Sequence, residues 1–220
     1  MVIIMLGAPA SGKGSVAEIL SAEFNIPAIS SGDIFRKNIA EGTELGKKAN
    51  EYMTKGLLVP DDVTVELIAS RLLADDVKEG LILDGFPRTV VQAEKLDNML
   101  KAQNKKIDIV VNLETPEEEI LERIVNRRVC TNSSCKTIYN TVLNPSKVDG
   151  VCDKCGSPLM QRDDDTLEKA KNRLAVYYKE TAPVADYYKG TGALFSTVLS
   201  KSVNRMKNEV AADVINYLKK

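Results

Sequence analysis

The stretch Gly7-Ala8-Pro9-Ala10-Ser11-Gly12-Lys13-Gly14-Ser15 has the residue types needed to hold a polyphosphate. Gly7 and Gly12 permit a tight curl, and Lys13 can reach between outer phosphates as a point charge. The general pattern G-x-x-x-x-G-K-[ST] puts a hydroxyl directly after the lysine, whereas here Gly14 intervenes before Ser15. A plain Gly/Pro turn between two core elements is the competing reading. Context decides against it: the apolar run Val2 to Leu6 precedes the loop as a buried strand, and Val16, Ile19, Leu20 and Phe24 follow it at helical spacing. Strand, loop and helix together bring backbone N–H groups and a positive helix terminus onto one anion.

Further groups suited to phosphate chemistry are scattered downstream. In Ser30-Ser31-Gly32-Asp33-Ile34-Phe35-Arg36 small polar residues can cap a helix that carries Arg36 one turn in; by itself Arg36 reads better as a solvent-facing arginine than as a second anion site. Asp84 ends the apolar strand Gly80 to Asp84, where it can hold Mg²⁺ directly or through water, or cap a turn. Gly85-Phe86-Pro87-Arg88-Thr89 follows at the carboxyl end of that strand, which points Arg88 into the ligand crevice of an open α/β sheet. Gln92, taken alone, is a surface residue. Thr115-Pro116-Glu117-Glu118 reads as a capping box opening a helix with Arg123, Arg127 and Arg128. Arg123 and Arg127 then share a face, either as a phosphate clamp or paired with Glu119 and Glu122, and spacing alone favours the pairing.

All four cysteines lie close together, as Cys130-x4-Cys135 and Cys152-x2-Cys155 separated by 16 residues. Two knuckle-like pairs at this spacing indicate a four-thiolate structural zinc site. Disulfides do not suit a reducing cytosol, and a thioredoxin-like role for Cys152 and Cys155 lacks its βαβ surroundings. Short strands are expected at 137–139 and 141–143, a ribbon with so little core that it needs a metal staple.

The composition narrows the chemistry. The 220 residues include no histidine and no tryptophan, so general catalysis by histidine and zinc sites with histidine ligands are excluded. With 30 basic and 31 acidic residues, the net charge of −1 gives no global field for nucleic acid or a membrane surface. No basic n-region opens the chain and no apolar stretch approaches about 18 residues, from which we expect a soluble, cytoplasmic protein.

The elements that must position these groups alternate. Strands are expected at Val2 to Leu6, Ile26 to Ile29, Gly80 to Asp84, Ile107 to Leu113 and Ala193 to Val198. Helices follow the phosphate loop, run from Pro60 to about Asp76 and from Thr89 to about Ala102, follow Thr115, extend from the Asp163-Asp164-Asp165-Thr166 cap to about Tyr188, and close the chain from about Val203 to Leu218. Residues 30–59 read as an insertion of two short helices punctuated at Gly42 and Gly56. The pattern implies α/β architecture, a five-stranded parallel sheet with helices on both faces.

Along essentially its whole length the chain resembles the adenylate kinase family, and more narrowly its long-lid bacterial form with a cysteine zinc knuckle. The resemblance is carried by the loop Gly7 to Ser15, by Ser30-Ser31-Gly32-Asp33 with Arg36, by Gly56-Leu57-Leu58-Val59-Pro60, by Asp84 to Thr89 with Gln92, and by Arg123, Arg127, Arg162 and Arg173. The family's extra glycine matches Gly14. Ala10 stands where the family usually has glycine, Ser15 where it has threonine, and the first knuckle is two residues wider than usual.

The resemblance implies a P-loop nucleoside monophosphate kinase fold with a core of 1–29, 60–126 and 164–220, an NMP-binding insertion of 30–59 and a lid of 127–163. It implies reversible transfer, MgATP + AMP ⇌ MgADP + ADP, by a protein expected to be a monomer. It would place ATP on Ala10, Ser11, Gly12, Lys13, Gly14, Ser15, Arg123 and Arg127, with Ile138, Tyr139 and Lys201 near the nucleotide. AMP would meet Ser31, Arg36, Leu57, Leu58, Val59, Gly85, Phe86, Pro87, Arg88 and Gln92, and Arg162 and Arg173 would reach the phosphates as the lid closes. Lys13, Arg88, Arg127, Arg162 and Arg173 would be catalytic, with Mg²⁺ near Asp84 and Zn²⁺ on Cys130, Cys135, Cys152 and Cys155. A UMP or CMP kinase of the same fold, or a zinc-ribbon nucleic-acid-binding nucleotide switch, are the rival readings; residues 130–160 offer the second few basic or aromatic residues.

Overall fold

A computed structural model describes residues 1–203 and 205–219. The strands are β1 (Val2–Gly7), β2 (Ala28–Ser30), β3 (Leu81–Asp84), β4 (Ile109–Glu114), β5 (Arg127–Cys130), β6 (Ile138–Asn140), β7 (Leu159–Met160) and β8 (Leu194–Val198). The helices are α1 (Lys13–Phe24), α2 (Ser31–Ala40), α3 (Glu44–Met53), α4 (Asp61–Arg71), α5 (Val90–Ala102), α6 (Glu117–Val125), α7 (Leu167–Val176), α8 (Ala182–Lys189) and α9 (Lys207–Leu218).

β1 is buried along its length, and its alternate residues feed two cores. Val2, Ile4 and Leu6 pack with Ile68 of α4, Leu96 and Leu100 of α5, and Val184 and Tyr188 of α8. Ile3 and Met5 face the other way, against Val16 and Leu20 of α1 and Val210 and Val214 of α9. The five-stranded sheet runs β2-β3-β1-β4-β8, with each pairing parallel. This order makes β1 central, so the loop that leaves its carboxyl end lies in the crevice where the chain switches from one side of the sheet to the other.

β6, β5 and β7 form a separate antiparallel sheet. Its interior consists of Cys130, Tyr139 and Cys152 with Cys135 and Leu159 against them. The α2–α3 pair has its own small core around Phe35, Ala49 and Val59.

Several boundaries differ from the sequence reading, each for a local reason. The second strand begins at Ala28 rather than Ile26, because Ile26 turns into the core beside α1. The fourth starts at Ile109, not Ile107, after Asp108 accepts a hydrogen bond from the Val2 N–H at 2.7 Å. α4 stops at Arg71, and Asp75–Val77 forms a separate 3-10 turn. Thr115 does not cap α6: Pro116 occupies the cap position, and the Thr115 hydroxyl donates instead to the Leu199 carbonyl at 2.8 Å. α6 ends at Val125, so Arg127 and Arg128 lie on β5 and do not share a helical face with Arg123. Residues 141–143 form a turn instead of a strand, held by the Asn140 side chain accepting from the N–H groups of Val142 and Leu143 at 2.9 Å. The long helix expected up to Tyr188 is divided by a π-helical turn, Tyr177–Thr181, where Pro183 interrupts the hydrogen-bond ladder. The last helix starts at Lys207 rather than near Val203, after an antiparallel bridge between Ser200 and Arg205.

Candidate active site

The carboxyl ends of β1 and β3, the phosphate loop, α2, α7 and the small antiparallel sheet enclose a cleft of about 730 Å³. Glycine is required at the mouth of the loop. Gly7 has φ +138°, and a Cβ there would lie 2.6 Å from the Leu113 carbonyl oxygen. At α1, Gly12 occupies the cap position and no acidic residue stands in the first turn, so the positive end of the helix is left to an external anion. The Lys13 ammonium donates to the carbonyls of Gly7 at 2.9 Å and Ala8 at 2.7 Å. Burial lowers its pKa to about 8, helped by the positive charges of Arg88, Arg173 and Arg127 and opposed by Asp84.

Ala10, Gly12, Gly14, Ser15, Asp84 and Arg123 line the cleft on the loop side. Ser11 is fully buried, and its hydroxyl is without a hydrogen-bond partner among the described residues.

Opposite them stand Arg36, Leu57, Leu58, Gly85, Pro87 and Arg88. Ser30 caps α2 by accepting from the Asp33 N–H at 3.3 Å, and Asp33 pairs with Arg36 at 2.5 Å. Arg88 donates from Nε to the Gly85 carbonyl at 2.7 Å, the same carbonyl that accepts from the Ser31 hydroxyl at 2.6 Å. Burial brings Arg88 down to about 10. Gln92 is buried, not on the surface: its Oε1 accepts from the Arg88 N–H at 2.7 Å and its amide donates to Asp61 at 2.7 Å. Ser31, Val59 and Gln92 border a small adjoining cavity rather than the main cleft. The Phe86 side chain is fully buried in the core.

From β5, the segment after β7 and α7 come Arg127, Arg162 and Arg173, and Ile138 and Tyr139 of β6 and Lys201 after β8 also line the cleft. Asp165 is fully buried and takes both prongs of the Arg127 guanidinium, from Nε at 2.8 Å and from Nη2. Arg173 pairs with Asp164 at 2.9 Å and lies 3.6 Å from Asp165. The aspartate run is therefore not a helix cap: Thr166 caps α7, accepting from the Lys169 N–H at 3.3 Å, while Asp164 and Asp165 serve the arginines. Arg162 reaches across to Asp33 at 3.9 Å, and burial lowers its pKa to about 10. Asp33 and Asp164 are pushed up by burial, yet Arg36 and Arg173 respectively hold their carboxyls below the usual range.

The four cysteine sulfurs lie within 4.8 Å of one another. Cys130 and Cys155 are 3.4 Å apart and Cys135 and Cys152 3.7 Å, which matches the roughly 3.8 Å between sulfurs of a tetrahedral four-thiolate zinc site. The Tyr139 hydroxyl lies 3.5 Å from the Cys152 sulfur and accepts from the Asp153 N–H at 2.8 Å.

Sequence reasoning foresaw the pairing of Arg123 with Glu119 but missed the contacts of Glu119 with residues 200–202, the part played by Asp61 and the partnering roles of Asp164 and Asp165, along with Arg205, Met206 and Lys207 on the cleft wall. Asp165 and Arg127 are 38 positions apart. Nothing local in the sequence announces such a pair.

A parallel sheet of this order, a phosphate loop leaving its central strand, and a small antiparallel sheet and a helix pair that bring arginines to the cleft define a P-loop nucleoside monophosphate kinase. The family model described as "Adenylate kinase" matches residues 5–193. Adenylate kinases of Caldicellulosiruptor saccharolyticus (50% identical over 210 residues, 96% of this chain and 97% of that protein) and Archaeoglobus fulgidus (49% over 212 residues, 96% and 97%) are similar to it throughout. That of Staphylococcus aureus is 46% identical over 218 residues, 99% of this chain and all of the relative. The chain belongs to the adenylate kinase family, and its activity is Mg²⁺-dependent phosphoryl transfer between ATP and AMP. No described helix is long and apolar enough to cross a membrane.

Proposed function

We propose that the cleft holds ATP on the phosphate loop under the β5–β7 sheet and AMP against α2 and the Gly85-to-Gln92 segment, with the two phosphate chains meeting beside Lys13. The observation that carries this assignment is the convergence on one cleft of Lys13 from the loop, Arg36 and Arg88 from the α2 side, and Arg123, Arg127, Arg162 and Arg173 from the other. The lysine with Arg36, Arg88, Arg127, Arg162 and Arg173 matches a polyphosphate transition state better than any other ligand chemistry this cleft could take, with Arg123 left to the nucleoside end.

In this reading an AMP phosphate oxygen attacks the γ-phosphorus of ATP. The bond from that phosphorus to the β–γ bridging oxygen breaks, and ADP leaves on each side. Lys13, Arg88, Arg127, Arg162 and Arg173 neutralise the equatorial and leaving oxygens, so catalysis rests on alignment and charge. No histidine is needed. Asp84, at the end of β3 and beside Gly14, fits a holder of Mg²⁺ through water; when bound, the ion supplies charge neutralisation at the phosphates. Gln92 acts on Arg88 through the backbone rather than on AMP directly. Ile138, Tyr139 and Lys201 border the ATP nucleoside.

The segments divide as a core of 1–29, 60–126 and 164–220, an AMP-binding insertion of 30–59 and a lid of 127–163, with closure of both insertions excluding water. Cys130, Cys135, Cys152 and Cys155 hold structural zinc in the lid. Their thiols are free of disulfides, which suits a reducing compartment, and the proposed setting is a cytoplasmic monomer with no nucleic-acid partner.

Mixing the protein with MgATP and each of AMP, UMP, CMP and GMP tests the acceptor assignment. ADP formation that is fast with AMP and slow with the other three is expected, and a pyrimidine preference would overturn it.

A further inference from the structure

Glu119, on the first turn of α6, is an acceptor for both walls at one end of the cleft. Its Oε2 accepts from Arg123 Nη2 at 2.9 Å and from the Lys201 N–H at 3.2 Å. Its Oε1 accepts from the Ser200 hydroxyl at 2.5 Å and from the Ser202 N–H at 3.3 Å. Three of these four donors come from the segment after β8, 81 to 83 positions away. An ordinary i, i+4 helix pair is exposed and contributes little. Here the side chains are only 14% and 13% exposed, for Glu119 and Arg123 respectively.

Arg123 is fixed on its other edges too. Nη1 donates to the Ser11 carbonyl of the phosphate loop at 3.3 Å, and Nη2 lies 3.4 Å from the Leu199 carbonyl. The guanidinium therefore stands between the phosphate loop and the post-β8 segment, and Glu119 sets its plane. That segment also brings Lys201, Arg205 and Met206 to the cleft wall. Burial pushes the Glu119 carboxyl up, but the hydrogen bonds from Ser200, Lys201 and Ser202 and the Arg123 charge bring it below its ordinary range, so it stays an anion.

We propose that Glu119 is a positioning residue for the nucleoside end of the ATP subsite: it clasps Arg123 to the 199–202 segment and so fixes the width of the slot between them. The inference rests on the assignment of ATP to the phosphate-loop side of the cleft. It predicts a defect that follows the nucleoside rather than the phosphates.

The test compares Glu119→Leu and Glu119→Gln with Arg123→Ala. Glu119→Leu should raise the KM for ATP about tenfold, the size expected for loss of a buried charge-assisted hydrogen bond, with a smaller rise in Glu119→Gln. The KM for AMP and the inhibition constant of inorganic tripolyphosphate should stay within about twofold of wild type. In an Arg123→Ala background the Glu119 substitution should add much less, because positioning acts through a shared partner. A parallel rise for ATP and AMP, an equal weakening of tripolyphosphate, or no change at all would overturn the proposal. If Glu119→Leu melts near the assay temperature, Ser200→Ala decides, with a rise in the KM for ATP alone supporting the clasp and an unchanged value refuting it. An Arg123→Ala variant with unaltered ATP kinetics would show instead that the ATP assignment itself is wrong.

Discussion

Lys13 is the group in the cleft whose charge pH controls. Burial and three arginines hold it near 8 in the free protein, while binding phosphate needs its protonated form. The sign follows directly: kcat/KM for ATP should be level below about pH 8 and fall about tenfold per unit above it, because that ratio reports the free enzyme. Bound phosphate favours the ammonium, so kcat should hold to higher pH; initial rates at saturating and limiting ATP separate the two. Lys13→Ala or Arg88→Ala should lower turnover by about two orders of magnitude or more without unfolding the protein, and near-wild-type rates would remove these residues from the mechanism. Asp165 plays a different part. Fully buried between Arg127 and Arg173, it cannot be removed without leaving a positive charge uncompensated. Asp165→Ala should therefore cost about 3 kcal/mol in urea denaturation, against less than about 0.5 for the exposed neighbour Asp163→Ala.

Among the elements, α2 and α3 meet at a point where only glycine fits. A Cβ on Gly46 would lie 2.1 Å from the Asn38 carbonyl oxygen, a backbone atom that cannot move aside alone. Gly46→Ala should therefore spread the helix pair, raising the KM for AMP several-fold while changing that for ATP less than about twofold, as steady-state kinetics would show. The antiparallel sheet depends on its sulfurs in another way, since three of the five side chains in its small core are cysteines. Removing metal with a chelator should melt this sheet in a separate low-temperature calorimetric transition and leave the transition of the parallel sheet in place.

These contrasts mark what the sequence discloses. The strand–loop–helix around Lys13, the five parallel strands and the cysteine cluster each rest on a contiguous pattern, and each was legible. Arg127 was assigned to the wrong element because α6 gives way to β5 two residues earlier, and helical spacing cannot see that change. The Asp165–Arg127 partnership, the Gln92–Asp61 contact and the Glu119 clasp join segments that only the folded chain brings together. Local capping rules favoured other roles for the aspartates and for Thr115, and tertiary partners took precedence.

At the scale of the molecule, the segment 127–163 touches both α1 and α2, through contacts of unequal weight. Lys154, between β6 and β7, lies 3.3 Å from Glu18 of α1, both side chains more than half exposed, and such a pair is worth little in water. Arg162, just after β7, is 16% exposed and spans to Asp33 on α2. Arg162→Ala should lower kcat by about a hundredfold, whereas Lys154→Ala should leave it within about twofold, both read in the same coupled ADP assay. The pairing of Arg36 and Arg162 with Asp33, and of Arg127 and Arg173 with Asp164 and Asp165, has a further consequence. At these four arginines an entering nucleotide does not meet bare cations; its phosphates trade places with carboxylates already seated there, while Lys13 and Arg88 give up backbone carbonyls. Binding is then an anion exchange inside the protein, with few counterions released to the medium. Affinity for AMP should accordingly change less than about twofold as potassium chloride rises from about 0.05 to about 0.3 M, a range over which an unpaired arginine cluster loses much of its attraction for phosphate.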